Sequence, residues 1–259
     1  MSEDLCLKDK FSLAGKSFLV TGGTRGIGRA ISLGFARAGA SVIANYVRDE
    51  KSAKSLMEEA GAENLSVNLC RADLTGEKGF ERLDASLKSA AARLSGLVHC
   101  AATGVHKPYP ELTSRHFDWV FSLNVRAFLD LIRMLVPMFS AGASVVALSS
   151  QGAQFATPYY TLVGASKGAL ESLSRHLAVE LAPSGIRLNI LSPGSVVTDA
   201  WKAMPDSERR LAEARRRTPL GRLVSLDEIA QAAQFLCSDA SSGIVGHTLV
   251  VDGGARIAI

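Results

Sequence analysis

The chain has 259 residues, 47% hydrophobic and 21% charged, and its 29 basic and 25 acidic side chains leave a net charge of +4. That length suits one large α/β domain, and so mild and dispersed a charge argues against a nucleic-acid surface. No run reaches the roughly 18 apolar residues that a membrane span needs, and Met1 to Lys10 lack the basic start and apolar core of a secretion signal, so a cytoplasmic protein is expected. The four cysteines, Cys6, Cys70, Cys100 and Cys237, have no metal-ligand spacing and read as free thiols in a reducing cytosol, so no metal site is expected.

Residues 1–14 read as a short leader and 15–259 as a single domain. Ser17 to Val20 is an apolar run that ends in Thr21-Gly22-Gly23-Thr24-Arg25-Gly26-Ile27-Gly28. Ile27, Ile31, Phe35 and Ala38 then recur at helical spacing as far as Gly39. Strand, glycine turn and helix is the setting in which a backbone approaches a pyrophosphate at a positive helix terminus. Gly22, Thr24, Arg25, Gly26, Ile27 and Gly28 are therefore candidate cofactor contacts; the plainer alternative is an ordinary βα turn. The second strand, Ser41 to Asn45, runs into Tyr46-Val47-Arg48 with no acid before Asp49. A fold selective for NAD places an acid near this point for the ribose hydroxyls. Without one, and with Arg25 and Arg48 available to a 2′-phosphate, NADPH is the expected cofactor, unless both arginines are simply solvated.

The alternation continues. Helical patterns are predicted over Glu50–Ala60, Glu77–Leu94, Arg115–Phe139 (bent or ended near Pro137), Asp206–Arg217 and Leu226–Cys237. Strands are predicted over Leu65–Leu69, Leu97–Cys100, Ser144–Leu148, Ile186–Leu191 and Thr248–Val251. This order gives one α/β domain, a Rossmann-type doubly wound parallel sheet with helices on both faces. Its ligand cleft belongs at the carboxyl ends of the strands, where Thr21, Asp73, Ala101, Ser150 and Pro193 fall.

The chemistry concentrates in Pro158-Tyr159-Tyr160-Thr161-Leu162-Val163-Gly164-Ala165-Ser166-Lys167, which leads into a helix with Leu170, Leu173, Leu177 and Leu181 on one face. Tyr160 and Lys167 are seven residues apart. At about 100° per residue, both face one cleft as an acid and its electrostatic tuner. Tyr159 falls about 80° out of phase and is expected to line the pocket or pack.

These elements together resemble the short-chain dehydrogenase/reductase family over residues 15–259. The resemblance rests on the glycine turn, Asp73-Leu74, Asn124, Ser150, Lys167, Pro193-Gly194 followed by Thr198, and Val251-Asp252-Gly253-Gly254. It implies that Asp73 contacts adenine, Asn124 supports a water, Lys167 holds the nicotinamide ribose and Thr198 binds the carboxamide. It also implies cofactor contacts at Tyr46, Leu74, Ala101, Pro193, Gly194 and Val196, a homotetramer, and a substrate lid at about 198–222. Two features depart from the family pattern. Val163 stands four residues before Lys167, where most members carry tyrosine, and His99-Cys100 replaces the usual pair of asparagines, a change read as structural. With Tyr160 as the donor the motif becomes Tyr-x6-Lys, the spacing of the NADPH-dependent enoyl-acyl-carrier-protein reductases sometimes called type III.

That spacing bears on the reaction. In ketone reduction, hydride and proton meet on one carbonyl group. In enoyl thioester reduction, hydride goes to the β-carbon and charge appears on the oxygen two carbons away, so the donor sits further out. Moving it three residues back shifts it by about 4.5 Å along a helix. The expected activity is NADPH-dependent reduction of a 2-enoyl thioester, with Tyr160, Lys167, Ser150 and Asn124 as catalytic residues. Ser150 supports Tyr160, touches substrate or is structural. The segment Ser207 to Arg217, with five arginines and two glutamates, is expected to dock an acidic acyl-carrier protein, unless it is a solvated amphipathic helix. The alternatives are a ketone or 3-oxoacyl reductase with a displaced tyrosine, and a non-catalytic NADP-binding protein.

Overall fold

The computed structural model describes residues 10–89, 93–198 and 206–258. Most of the expected leader, and residues 199–205 of the expected lid, lie outside them. One seven-stranded sheet runs through the described residues in the order β3-β2-β1-β4-β5-β6-β7, every neighbouring pair parallel. The strands are β1 (Ser17–Thr21), β2 (Ser41–Tyr46), β3 (Val67–Arg71), β4 (Leu94–His99), β5 (Phe139–Leu148), β6 (Arg187–Pro193) and β7 (Thr248–Val251).

The central strands are continuous apolar runs because helices cover them on both faces. One face packs on α1 (Gly26–Arg37), α2 (Glu50–Ala62) and α8 (Leu226–Cys237), through Ile31, Phe35, Leu56, Ile229 and Leu236. The other packs on α3 (Glu77–Ser89), α5 (Ala127–Leu135) and α6 (Thr161–Leu181), through Leu83, Phe128, Leu131 and Leu170. The chain winds outward from β1 to β3, then returns to place β4 on the other side of β1. The cleft opens at that reversal, beyond the carboxyl ends of the strands.

Three expectations are corrected. The helix expected over Glu77–Leu94 is described over Glu77–Ser89, residues 90–92 of that range lie outside the described residues, and Leu94 begins β4. The helix expected over Arg115–Phe139 does end near Pro137, in a short 3-10 turn (Val136–Met138), but it is also divided into α4 (Ser114–Phe121), a π-helical turn (Ser122–Arg126) and α5. Phe139 then begins β5. The two misassigned residues share one cause: Leu94 and Phe139 are partners across β4 and β5, a long-range pairing that local apolar spacing does not register. The third strand is displaced by two residues, from the expected Leu65–Leu69 to Val67–Arg71.

Candidate active site

The glycine turn leaves β1 at Thr21 and enters α1 at Gly26. Gly22 and Gly26 have φ of +62° and +52°, in the left-handed region that favours glycine. A Cβ on Gly28 would lie 2.1 Å from the Gly22 carbonyl oxygen, so a side chain there would break the turn. Arg25 caps α1 without a side-chain hydrogen bond. The first N–H groups of the helix are thus left to a ligand, as a pyrophosphate requires. Thr24 is buried beside them. Thr198, from beyond β6, reaches this turn: a Cβ on Gly26 would lie 3.6 Å from its methyl group.

At the end of β2 the polar groups are arranged unequally. Asn45 is buried and its amide donates to the carbonyls of Cys70 and Ala72, at 3.3 and 2.9 Å, so it braces β3. Asp49 accepts from Ser52 N–H at 2.9 Å and Ser52 Oγ at 2.7 Å, capping α2. Those hydrogen bonds, with Arg25 nearby, hold its carboxyl below the usual range. Tyr46 is half-buried at the strand end, and Arg48 and Arg25 are exposed. Asp73 accepts from Thr75 N–H and Oγ, while Leu74 is buried in the core, so only its backbone can face a cofactor.

His99 replaces a family asparagine as a brace. Its Nδ1 pairs with Thr21 Oγ at 3.0 Å, and the same hydroxyl accepts from Ala101 N–H at 3.1 Å, tying β1 to the chain after β4. Burial pushes its imidazole down to about 3, so it is neutral. Cys100 is a thiol pushed up to about 12 by burial.

The catalytic candidates converge where β5 meets α6. Ser150 follows β5 and accepts from Gly152 N–H at 3.2 Å. Tyr160 is the N-cap residue immediately before α6, and its hydroxyl donates to Ser150 Oγ at 3.3 Å. A Cβ on Gly152 would lie 2.5 Å from the Tyr160 ring, so the ring is seated directly on glycine backbone. His106 stacks on the same ring, with centroids 5.7 Å apart and planes at 27°. Burial raises the Tyr160 phenol and keeps it protonated.

One helical turn into α6, Val163 is buried, and a Cβ on Gly104 would lie 2.7 Å from its Cγ2, so it is closely packed against that glycine. Lys167 is 5% exposed, and its ammonium donates to the Leu148 carbonyl at 2.6 Å. Burial pushes it down to about 8. Asn124 sits in the π-helical turn, a feature frequent at functional sites. Its amide donates to Thr103 O and Ser166 Oγ at 3.0 and 2.9 Å, and its oxygen accepts from Thr103 N–H at 2.8 Å. Its side chain therefore fixes the loop after β4 to α6 and does not enter the cleft.

The cleft measures about 870 Å³ and brings together Ser150, Tyr160, Lys167, Ile27, Pro193, Gly194, Val196 and Thr198 from the expected set. Tyr159 stays out of it, with φ of +62° and its ring facing Arg210. The structure adds His106, Gly152, Arg210 and Arg256. No spacing in the chain marks them, because loops and the helix Ser207–Arg217 bring them in from separate elements. Chemically, the arrangement offers a protonated phenol, a supporting hydroxyl and a buried ammonium around one substrate position, next to a turn shaped for a dinucleotide.

A family model described as enoyl-(acyl carrier protein) reductase matches residues 22–256. The 1-cyclohexenylcarbonyl-CoA reductase of Streptomyces collinus is 34% identical over 248 residues, covering 92% of this chain and 86% of that protein. Among solved structures, a 7α-hydroxysteroid dehydrogenase complexed with NADH and 7-oxo glycochenodeoxycholic acid is 31% identical with a TM-score of 0.90, covering 96% of this chain and 98% of that one. A gluconate 5-dehydrogenase from Burkholderia cenocepacia, in complex with NADP and tartrate, is 27% identical with a TM-score of 0.89, covering 97% and 99%. The chain belongs to the short-chain dehydrogenase/reductase superfamily. It is an NAD(P)-dependent oxidoreductase.

Proposed function

We propose that this enzyme uses NADPH to reduce the C2=C3 double bond of a 2-enoyl thioester. One observation carries the reading. Among the tyrosines, Tyr160 alone lines the cleft with Lys167, while the position four residues before the lysine is Val163, buried against Gly104. The donor therefore stands at the start of α6 and not one turn inside it. The relative named for a cyclohexenylcarbonyl thioester is consistent with a conjugated acyl substrate.

When bound, the nicotinamide cofactor supplies the hydride. The glycine turn and the open N-terminus of α1 hold its pyrophosphate, and Lys167 and Thr198 orient its nicotinamide end. Tyr160 donates a hydrogen bond to the thioester oxygen, where negative charge builds as the β-carbon is reduced. Preorganised donation of this kind is often the largest catalytic term. In the structure Tyr160 donates to Ser150 Oγ; when its one O–H turns to the thioester oxygen, Ser150 donates to the phenol oxygen instead and fixes its direction. Protonated Lys167 stabilises the charge that Tyr160 meets. The enolate then takes a proton from solvent water at the α-carbon, which leaves Tyr160 protonated for the next turnover. The preference for NADPH is supported by Asp49, which is engaged in capping α2, and by exposed Arg25 and Arg48.

The test is NADPH oxidation with a 2-enoyl and a 3-oxoacyl thioester side by side. A second reading, ketone reduction, is favoured by the contact of Tyr160 with Ser150: two hydroxyls on one point suit a single carbonyl oxygen. Faster turnover of the oxo substrate would select it. Cytoplasmic location, a homotetramer and delivery by an acyl-carrier protein belong to the same proposal. Light scattering checks the tetramer, and the salt dependence of carrier-bound turnover checks docking.

A further inference from the structure

Two arginines of the cleft have no role in the hydride and proton chemistry. Arg256 lies past β7, in a turn where the Asp252 carboxylate accepts from Gly254 N–H at 2.9 Å and Arg256 N–H at 2.8 Å. Its guanidinium carbon is 5.9 Å from the Phe155 ring centroid. Arg210 comes from α7 (Ser207–Arg217), with its guanidinium carbon 5.7 Å from the Tyr159 centroid and Nη2 reaching the Pro158 carbonyl at 3.5 Å. Arg256 Nε and Nη2 and Arg210 Nε are buried, and no protein group among the described residues accepts a hydrogen bond from them.

The neighbouring acids are engaged elsewhere. Glu213 is held by Arg216 and Arg217 at 2.8 and 2.6 Å, and Asp206 by Arg209 at 3.2 Å. Asp252 takes the two backbone N–H groups and the Gln151 amide at 3.2 Å. Stacking on an aromatic ring uses the face of a guanidinium and leaves its in-plane N–H fork pointing outward. That fork matches carboxylate and phosphate oxygens. A buried charged donor without an acceptor is costly, and an anionic ligand removes the cost.

We propose that Arg256 and Arg210 form an oxyanion-binding subsite in the cleft and that the substrate carries a phosphate or a carboxylate there. The subsite concerns what the substrate carries, not which bond is reduced, so it stands apart from the enoyl reading. The test needs no turnover. Calorimetric titration of the protein saturated with NADP⁺ compares 4′-phosphopantetheine with pantetheine, and glutarate with glutaramide. The expected result is at least one anionic probe bound about tenfold more tightly than its neutral partner. A preference for 4′-phosphopantetheine assigns the anion to the thioester arm, and a preference for glutarate assigns it to the acyl end.

Arg256→Gln and Arg210→Gln should each remove most of that preference while NADP⁺ affinity and Tm stay unchanged. Should Arg256→Gln fail to fold, Arg256→Lys keeps the charge without the fork and is expected to lose several-fold. Equal binding within both probe pairs, or a preference that survives both glutamine variants, would overturn the proposal.

Discussion

At the residue scale, one phenol and one ammonium carry the proposed chemistry. Tyr160→Phe keeps the ring on Gly152 and against His106 but removes the donor, so kcat should fall about 10²–10³-fold with NADPH affinity nearly unchanged. Tyr159→Phe alters a side chain outside the cleft and should be mild; if it is the inactive variant, the register assigned to α6 is wrong. The pH profile follows from Lys167. Its protonated form assists Tyr160, and burial depresses it to about 8, so kcat/KM should fall as pH rises through about 8. The raised phenol stays protonated over that range. A profile flat to pH 10 would remove Lys167 from this role. The Tyr160–Lys167 pair was legible from helical phase, although the helix begins only at Thr161. His106 was not, because its stacking on Tyr160 depends on the path of a loop.

At the element scale, the π-helical turn shows what apolar periodicity conceals. Val120, Phe128, Leu131 and Leu135 keep a plausible helical face throughout, so the chain reads as one helix. The interruption at Ser122–Arg126 is marked only by Asn124, a fully buried polar residue that needs partners on two other elements. Asn124→Ala would leave Thr103 N–H and O and Ser166 Oγ without their partner. A loss of about 2–3 kcal/mol is expected. That corresponds to a drop in Tm of roughly 4–10 °C, measurable by calorimetry. An unchanged Tm would show that the bracing is replaced locally. α7 was legible as a charged helix, but the inward turn of Arg210 was not: Arg209, Arg216 and Arg217 pair with acids, and sequence does not say that Arg210, and not Arg215, enters the cleft.

At the scale of the whole molecule, the doubly wound sheet was legible because strands and helices alternate, and the cleft's position follows from where the winding reverses. What the alternation could not supply was the meeting of distant loops around the substrate. Cofactor choice belongs to this scale, since it joins the glycine turn to the end of β2. kcat/KM should favour NADPH over NADH, and Arg48→Ala should narrow the gap by weakening NADPH alone. Equal efficiency with both cofactors would contradict the role of Arg25 and Arg48.

In the proposed reaction Tyr160 stands where a conjugated carbonyl, and not a ketone beside the nicotinamide, delivers its charge. A misplacement of about 1 Å can cost about 10²-fold in rate, so the two substrate classes should separate clearly. The direct measurement is the initial rate of NADPH oxidation by the wild-type protein with a 2-enoyl and a 3-oxoacyl thioester of the same chain length. The expected result is turnover of the enoyl thioester at least tenfold faster, about 1.4 kcal/mol in barrier. Equal or faster turnover of the 3-oxoacyl thioester would contradict it.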